Sequence, residues 1–182
     1  KKNFKYSDDG GVSWSIINQV FKKEWDDVIN CLTVNPGNKK EIYLGTSDGI
    51  KKSVDGGKTF SALYLGPVKD VTGIYYSPGN DNIYAKVGKD KFYQSSDGGK
   101  IWRNLNFTQL GNKTVINDVL LIPDPPYLLV ATNTEGIVSF INSEWKHLNT
   151  GLTLLNINTV GEDYKTNSLY MLANSCEIFK KE

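Results

Sequence analysis

The chain has 182 residues, with 21 Lys and Arg against 20 Asp and Glu, for a net charge of +1. That balance excludes a dedicated nucleic-acid binder, which carries a basic excess. One His (His147) and two Cys (Cys31 and Cys176), far apart, are too few for a His/Cys zinc site, so neither a metal nor another cofactor is expected.

Aromatics at 12% and 17 Gly favour β structure. In chain order, the first punctuation is Ser7-Asp8-Asp9-Gly10-Gly11-Val12-Ser13-Trp14, of the form S-x-D-x-G-x-x-W. An apolar stretch from Val28 to Val34 then ends in Asn35-Pro36-Gly37. A second short strand from Glu41 to Thr46 turns at Ser47-Asp48-Gly49, and a third runs into Ser53-Val54-Asp55-Gly56-Gly57-Lys58-Thr59-Phe60. The next unit has strands from Val71 to Tyr76 and Asn82 to Val87, the turn Gly88-Lys89-Asp90, and Ser95-Ser96-Asp97-Gly98-Gly99-Lys100-Ile101-Trp102. A further unit has strands from Val115 to Ile122 and Tyr127 to Thr132 and the turn Thr134-Glu135-Gly136. Its aromatic, Trp145, follows a turn two residues shorter that has lost the Asp and both Gly.

The three motif copies step by 46 and then 42 residues, and no segment has helical periodicity. Four short antiparallel strands at this period predict an all-β fold, a β-propeller of four-stranded blades. Within a single domain, 1–182, complete blades are expected at 28–70, 71–114 and 115–150. Residues 1–27 would supply third and fourth strands. Residues 154–182 would supply a first, a second and the start of a third, completing the same blade. Two arrangements stay open: a ring of about four blades closed by both termini, or an arc of a larger propeller, including one completed by another copy. The chain stops just before another Ser-Asp-Gly-Gly turn is due, which suggests a fragment.

The repeated motif, between third and fourth strands, resembles the Asp-box or BNR repeat of sialidases, xyloglucan-active hydrolases, sortilin-type receptors and photosystem assembly factors. The resemblance implies a propeller whose boxes sit at the rim, away from any active centre, and an extracytoplasmic or secreted habit. The residues that match are Ser7, Asp9, Gly11 and Trp14; Ser53, Asp55, Gly57 and Phe60; and Ser95, Asp97, Gly99 and Trp102. Their chemistry reads as structural. Gly takes backbone angles other residues resist, the carboxylate accepts turn N–H groups, and the aromatic buries a large face.

Catalytic signals are sparse. Asp-box sialidases use three Arg, and Arg103 is the only one here, which excludes that activity. Asp48, Asp90 and Glu135 are weak candidate glycosidase carboxylates in turns that share one face, and they read first as solvated residues chosen for turn chemistry. Asn30, Thr72, Asn117 and Asn158 align near the starts of the first strands, where a propeller channel opens. Trp25 and Tyr64 are aromatics able to stack on a ligand there. The reading is a non-catalytic binding or scaffold domain for a protein or glycan ligand at this channel mouth. The alternatives are a piece of a secreted glycoside hydrolase or of a sortilin-like receptor. No apolar run approaches the roughly 18 residues of a transmembrane helix. Pairing of Cys31 with Cys176 is left open.

Overall fold

The computed structural model describes residues 4–17, 28–64, 66, 69–77, 79–111, 113–166, 168–173 and 178–181. They form five successive antiparallel sheets. The first is a hairpin of β1 (Phe4–Tyr6) and β2 (Ser15–Ile17). Three complete blades follow. The first blade holds β3 (Ile29–Val34), β4 (Ile42–Thr46), β5 (Gly49–Ser53) and β6 (Ser61–Leu63). The second holds β7 (Val71–Ser77), β8 (Asn82–Val87), β9 (Lys91–Ser95) and β10 (Arg103–Asn104). The third holds β11 (Ile116–Pro123), β12 (Pro126–Thr132), β13 (Ile137–Ile141) and β14 (Glu144–His147). The last sheet has three strands, β15 (Ile157–Asp163), β16 (Ser168–Ala173) and β17 (Ile178–Lys181). A short 3₁₀ turn, Phe107–Leu110, follows the second blade.

Each blade is a meander paired in sequence order, and the apolar side chains meet between blades. Tyr43 and Ile50 of the first blade pack on Val71, Ile74 and Ile83 of the second. Tyr84 and Phe92 of the second pack on Ile116, Leu128 and Val130 of the third. Leu129, Ala131 and Ile137 of the third pack on Ile157, Val160 and Met171 of the last sheet. Each large apolar side chain buried this way stabilises by roughly 1.5–3 kcal/mol, so the junctions carry much of the fold.

Among the described residues, each terminal segment forms a sheet of its own. β16 pairs with β15 on one edge and β17 on the other, with Tyr170 opposite Gly161 and Lys180.

Expected burial of the motif aromatics is corrected at one position. Phe60 is buried beside Ile42 and Leu44, and Trp102 is partly buried against the first–second junction, its indole N–H donating to the Gly99 carbonyl at 3.0 Å. Trp14 is 61% exposed. It immediately precedes β2 in a hairpin of only two strands, which offers the ring less surface to pack on than a complete blade.

Candidate functional site

The three Ser-Asp-Gly-Gly turns close the β1–β2, β5–β6 and β9–β10 hairpins by the same bonds. The Ser7, Ser53 and Ser95 hydroxyls each donate to the Asp two residues on, at 2.7, 2.8 and 2.8 Å. The Gly11, Gly57 and Gly99 N–H groups return to the same hydroxyl oxygens at 2.7, 2.8 and 2.9 Å. Gly56 and Gly57 have φ of 75° and 88°, and both other copies repeat this left-handed pair, which side chains resist. The carboxylates also accept backbone N–H bonds, from Ser13 to Asp9, Thr59 to Asp55 and Ile101 to Asp97.

One difference separates the copies. The Ser13 and Thr59 hydroxyls donate a further bond, at 2.6 Å each, to the second carboxylate oxygen of Asp9 and Asp55. Ile101 stands in that place in the third copy and has no hydroxyl. These bonds to the ionised form hold the Asp9 carboxyl far below its ordinary value and bring Asp55 down to about 2. Asp97 is also lowered, chiefly by the Ile101 N–H and then by the Ser95 hydroxyl. All three carboxylates are committed to their own turns.

The opposite end of the strands holds the candidate ring. Register shifts occur at Ile29/Cys31, Val71/Gly73, Ile116/Asp118 and Ile157/Thr159. Asn30, Thr72, Asn117 and Asn158 are the bulged residues, one per first strand, and all four are exposed. A bulge leaves ladder groups without their usual partner. The structure supplies that partner from the preceding blade. Asn30 Nδ2 donates to the Val71 carbonyl at 3.1 Å, and Asn117 Nδ2 to the Ile157 carbonyl at 2.8 Å.

Thr72 is too short for this reach and bonds the Gly88 carbonyl of its own blade at 2.8 Å. Lys86 of β8 takes over, its Nζ donating to the Ile116 carbonyl at 2.7 Å. Burial pushes the Lys86 ammonium down in pKa, opposed by the Asp118 charge. Asp118 itself accepts bonds from the Thr159 hydroxyl and from the Val160 N–H at 3.1 Å. The sequence reading placed Asp118 near this face as part of an acidic cast, and missed Lys86. The one signal for Lys86 was Thr in a row otherwise filled by Asn.

The candidate carboxylates lie in the second-to-third-strand turns of three different blades. Asp48 pairs with Lys69 at 2.8 Å. With Tyr64, which is 81% exposed, it lines a cavity of about 260 Å³ in which neither Asp90 nor Glu135 takes part. Glu135 pairs with His147 at 3.1 Å. Among the described residues no three His, Cys, Asp or Glu side chains converge. Trp25 and Cys176 lie outside the described residues. Cys31 is a free thiol, pushed up in pKa by burial. Among the described residues no helix is long and apolar enough to cross a membrane.

No protein-family model matches the chain, and no curated protein does. Solved structures do. The GH74 enzyme of Niastella koreensis superposes with a TM-score of 0.63 at 21% identity, over 77% of this chain and 24% of that one. YCF48 bound to D1 peptide gives 0.70 at 17% identity, over 99% of this chain and 58% of that one. A chain of the nidogen/laminin complex gives 0.64 at 18% identity, over 93% and 68%. The chain thus spans about a quarter and somewhat more than half of the first two. At these identities the likeness is one of fold, and the fold is the β-propeller.

Proposed function

We propose that this chain is a non-catalytic binding propeller, extracytoplasmic, that takes a polypeptide on the face carrying its strand bulges. The observation that carries this reading is the row of exposed polar side chains at Asn30, Thr72, Asn117 and Asn158, one per bulge. Thr and Asn can both donate and accept hydrogen bonds, as a peptide main chain requires. Tyr64 beside Asp48 adds an exposed aromatic on the same face. Two neighbours in fold support a protein ligand, YCF48 bound to D1 peptide and the nidogen/laminin complex. We read the three Ser-Asp-Gly-Gly turns as Asp-boxes, structural rather than catalytic, on the strength of their closed bonding.

A glycoside hydrolase piece would need two carboxylates facing one bond across a single cleft. Asp48 and Glu135 are instead paired locally in separate blades, so the binding reading is preferred. The test is to pan a library of 12-residue peptides against the chain and map enriched peptides by amide chemical shifts. Shifts at Thr72, Asn117 and Asn158, abolished by Asn158→Arg, are expected. Failure to enrich any peptide, or shifts confined to the box end, would sink the proposal.

A further inference from the structure

A groove of about 610 Å³ lies between the second and third blades, lined by Asn80, Asn82, Gln94, Tyr127, Asn142 and Ser143 among others. It sits at the box end of the strands, away from the bulges. Two local features build it. The β13–β14 hairpin is closed by Asn142 and Ser143 alone, with Ile141 opposite Glu144. Both residues have positive φ, 51° and 67°, the geometry of a two-residue hairpin turn. Where the other blades carry a box of eight residues, the third carries this tight turn, and the groove opens beside it. On the other side, Asn80 and Asn82 follow β7, with the Asn82 N–H bonded to Asn80 Oδ1 at 3.1 Å.

The lining contains no Asp, Glu, Lys, Arg or His, in a chain where 23% of residues are charged. Its polar groups are carboxamides and hydroxyls, each able to donate and to accept. Among the described residues, the Asn142 amide and the Ser143 hydroxyl bond to no other protein group, and Gln94 makes one long bond, 3.4 Å, to the Tyr84 hydroxyl. The Tyr127 ring is half-buried in the wall and presents a flat apolar surface beside these groups.

We infer that this groove binds a neutral oligosaccharide. A sugar is dense in hydroxyls that both donate and accept, carries no charge, and has an apolar ring face. The lining matches all three properties. An ionic ligand would meet no counter-charge. A peptide would find the turns of two sheets rather than an open strand edge to extend.

The inference does not depend on the bulge face, so the two can fail separately. The test is amide chemical-shift mapping of the wild-type chain against cellotetraose, mannotetraose and laminaritetraose. At least one should shift Asn80, Asn142 and Ser143 while leaving Asn158 unmoved. Gln94→Ala and Asn142→Gly, the latter chosen because Gly keeps the left-handed turn, should each weaken binding by about tenfold, the loss of one good hydrogen bond. Their melting temperatures should match wild type, and if either fails to fold the wild-type map decides. The inference is overturned if none of the three sugars moves these signals, if shifts appear only at the bulges, or if only peptides from the panned library move them.

Discussion

Asn117 reaches out of its own blade to hold the Ile157 carbonyl of the next sheet, Nδ2 to oxygen 2.8 Å. Ile157 is fully buried and immediately precedes the bulge of β15, where the regular ladder is interrupted. The bond is a spoke between sheets. Removing it should leave a buried acceptor unsatisfied, at a cost of about 1–3 kcal/mol. Asn117→Ala is therefore expected to lower the melting temperature, by roughly 2–4 °C per kcal/mol for a chain of this length. Asn158→Ala, at an exposed bulge position that holds no such carbonyl among the described residues, should stay within about 0.5 kcal/mol of wild type. Denaturant melts of the two variants side by side check the contrast.

Lys86 is the spoke of the second blade, and its Nζ bond to the Ile116 carbonyl makes a distinct prediction. Lys86→Met keeps the aliphatic stem and removes the donor, so it should destabilise by about 1–2 kcal/mol. The combined Thr72→Asn and Lys86→Met variant should regain part of that loss, because Asn at the bulge can make the bond that Asn30 and Asn117 make. No recovery in the double variant would mean that Lys86 acts through something other than this carbonyl.

What the sequence made legible was local. Two Gly, one Asp and one Ser within eight residues suffice to close a box turn, so the boxes and the strands on either side could be read without tertiary information. The bulge positions were legible as an alignment of Asn30, Thr72, Asn117 and Asn158. Their bonds were not, because Asn30 to Val71 and Asn117 to Ile157 each span about 40 residues and depend on how neighbouring sheets dock. Lys86 was hidden for the same reason. How the terminal segments relate was not legible either, because strand patterns do not say which edge a strand takes. The groove was missed because its best signal was a loss, the two-residue turn at Asn142 and Ser143 where a box was due.

The box carboxylates give a pH prediction. Asp55 has a folded value of about 2 against an ordinary 3.8, because the Thr59 hydroxyl, then the Thr59 N–H and the Ser53 hydroxyl, bond its ionised form. A carboxyl depressed on folding contributes stability above its unfolded value, and that contribution is lost as pH falls toward the folded one. The window is therefore about pH 4 down to pH 2. Carbon-detected titration should show the Asp55 carboxyl still ionised at pH 3, where a carboxyl at the ordinary value of 3.8 has largely protonated.

The third box tests the cause. Asp97 lacks the hydroxyl bond that Thr59 gives Asp55, since Ile101 occupies that place. Ile101 is 73% exposed, so replacing it removes little packing. Ile101→Thr should add an O–H bond to the free Asp97 oxygen and move the Asp97 titration midpoint down, toward that of Asp55. Ile101→Val, which has the same branched shape and no hydroxyl, should leave the midpoint where it is. Equal shifts from Thr and Val would show that shape rather than the hydroxyl governs the carboxylate.

Close approach of the first two blades makes the last prediction. A methyl group at Gly45 would lie against Cys31 Sγ and only 2.8 Å from Val71 Cγ1 and 3.1 Å from the Val71 carbonyl oxygen. The two Val71 atoms have little freedom. Val71 is fully buried in the junction and its carbonyl is held by Asn30. Gly45→Ala should therefore force the blades apart, with an overpacking cost of about 1–3 kcal/mol. It should also lengthen the Asn30 spoke. Trimming the thiol in Gly45→Ala/Cys31→Ala relieves one contact and leaves the Val71 contacts in place, so only part of the stability should return. Full recovery would locate the conflict at Cys31 alone; no recovery would locate it at Val71. Either result, read by chemical denaturation of the three variants against wild type, measures how tightly this junction is set by backbone approach rather than by side-chain fit.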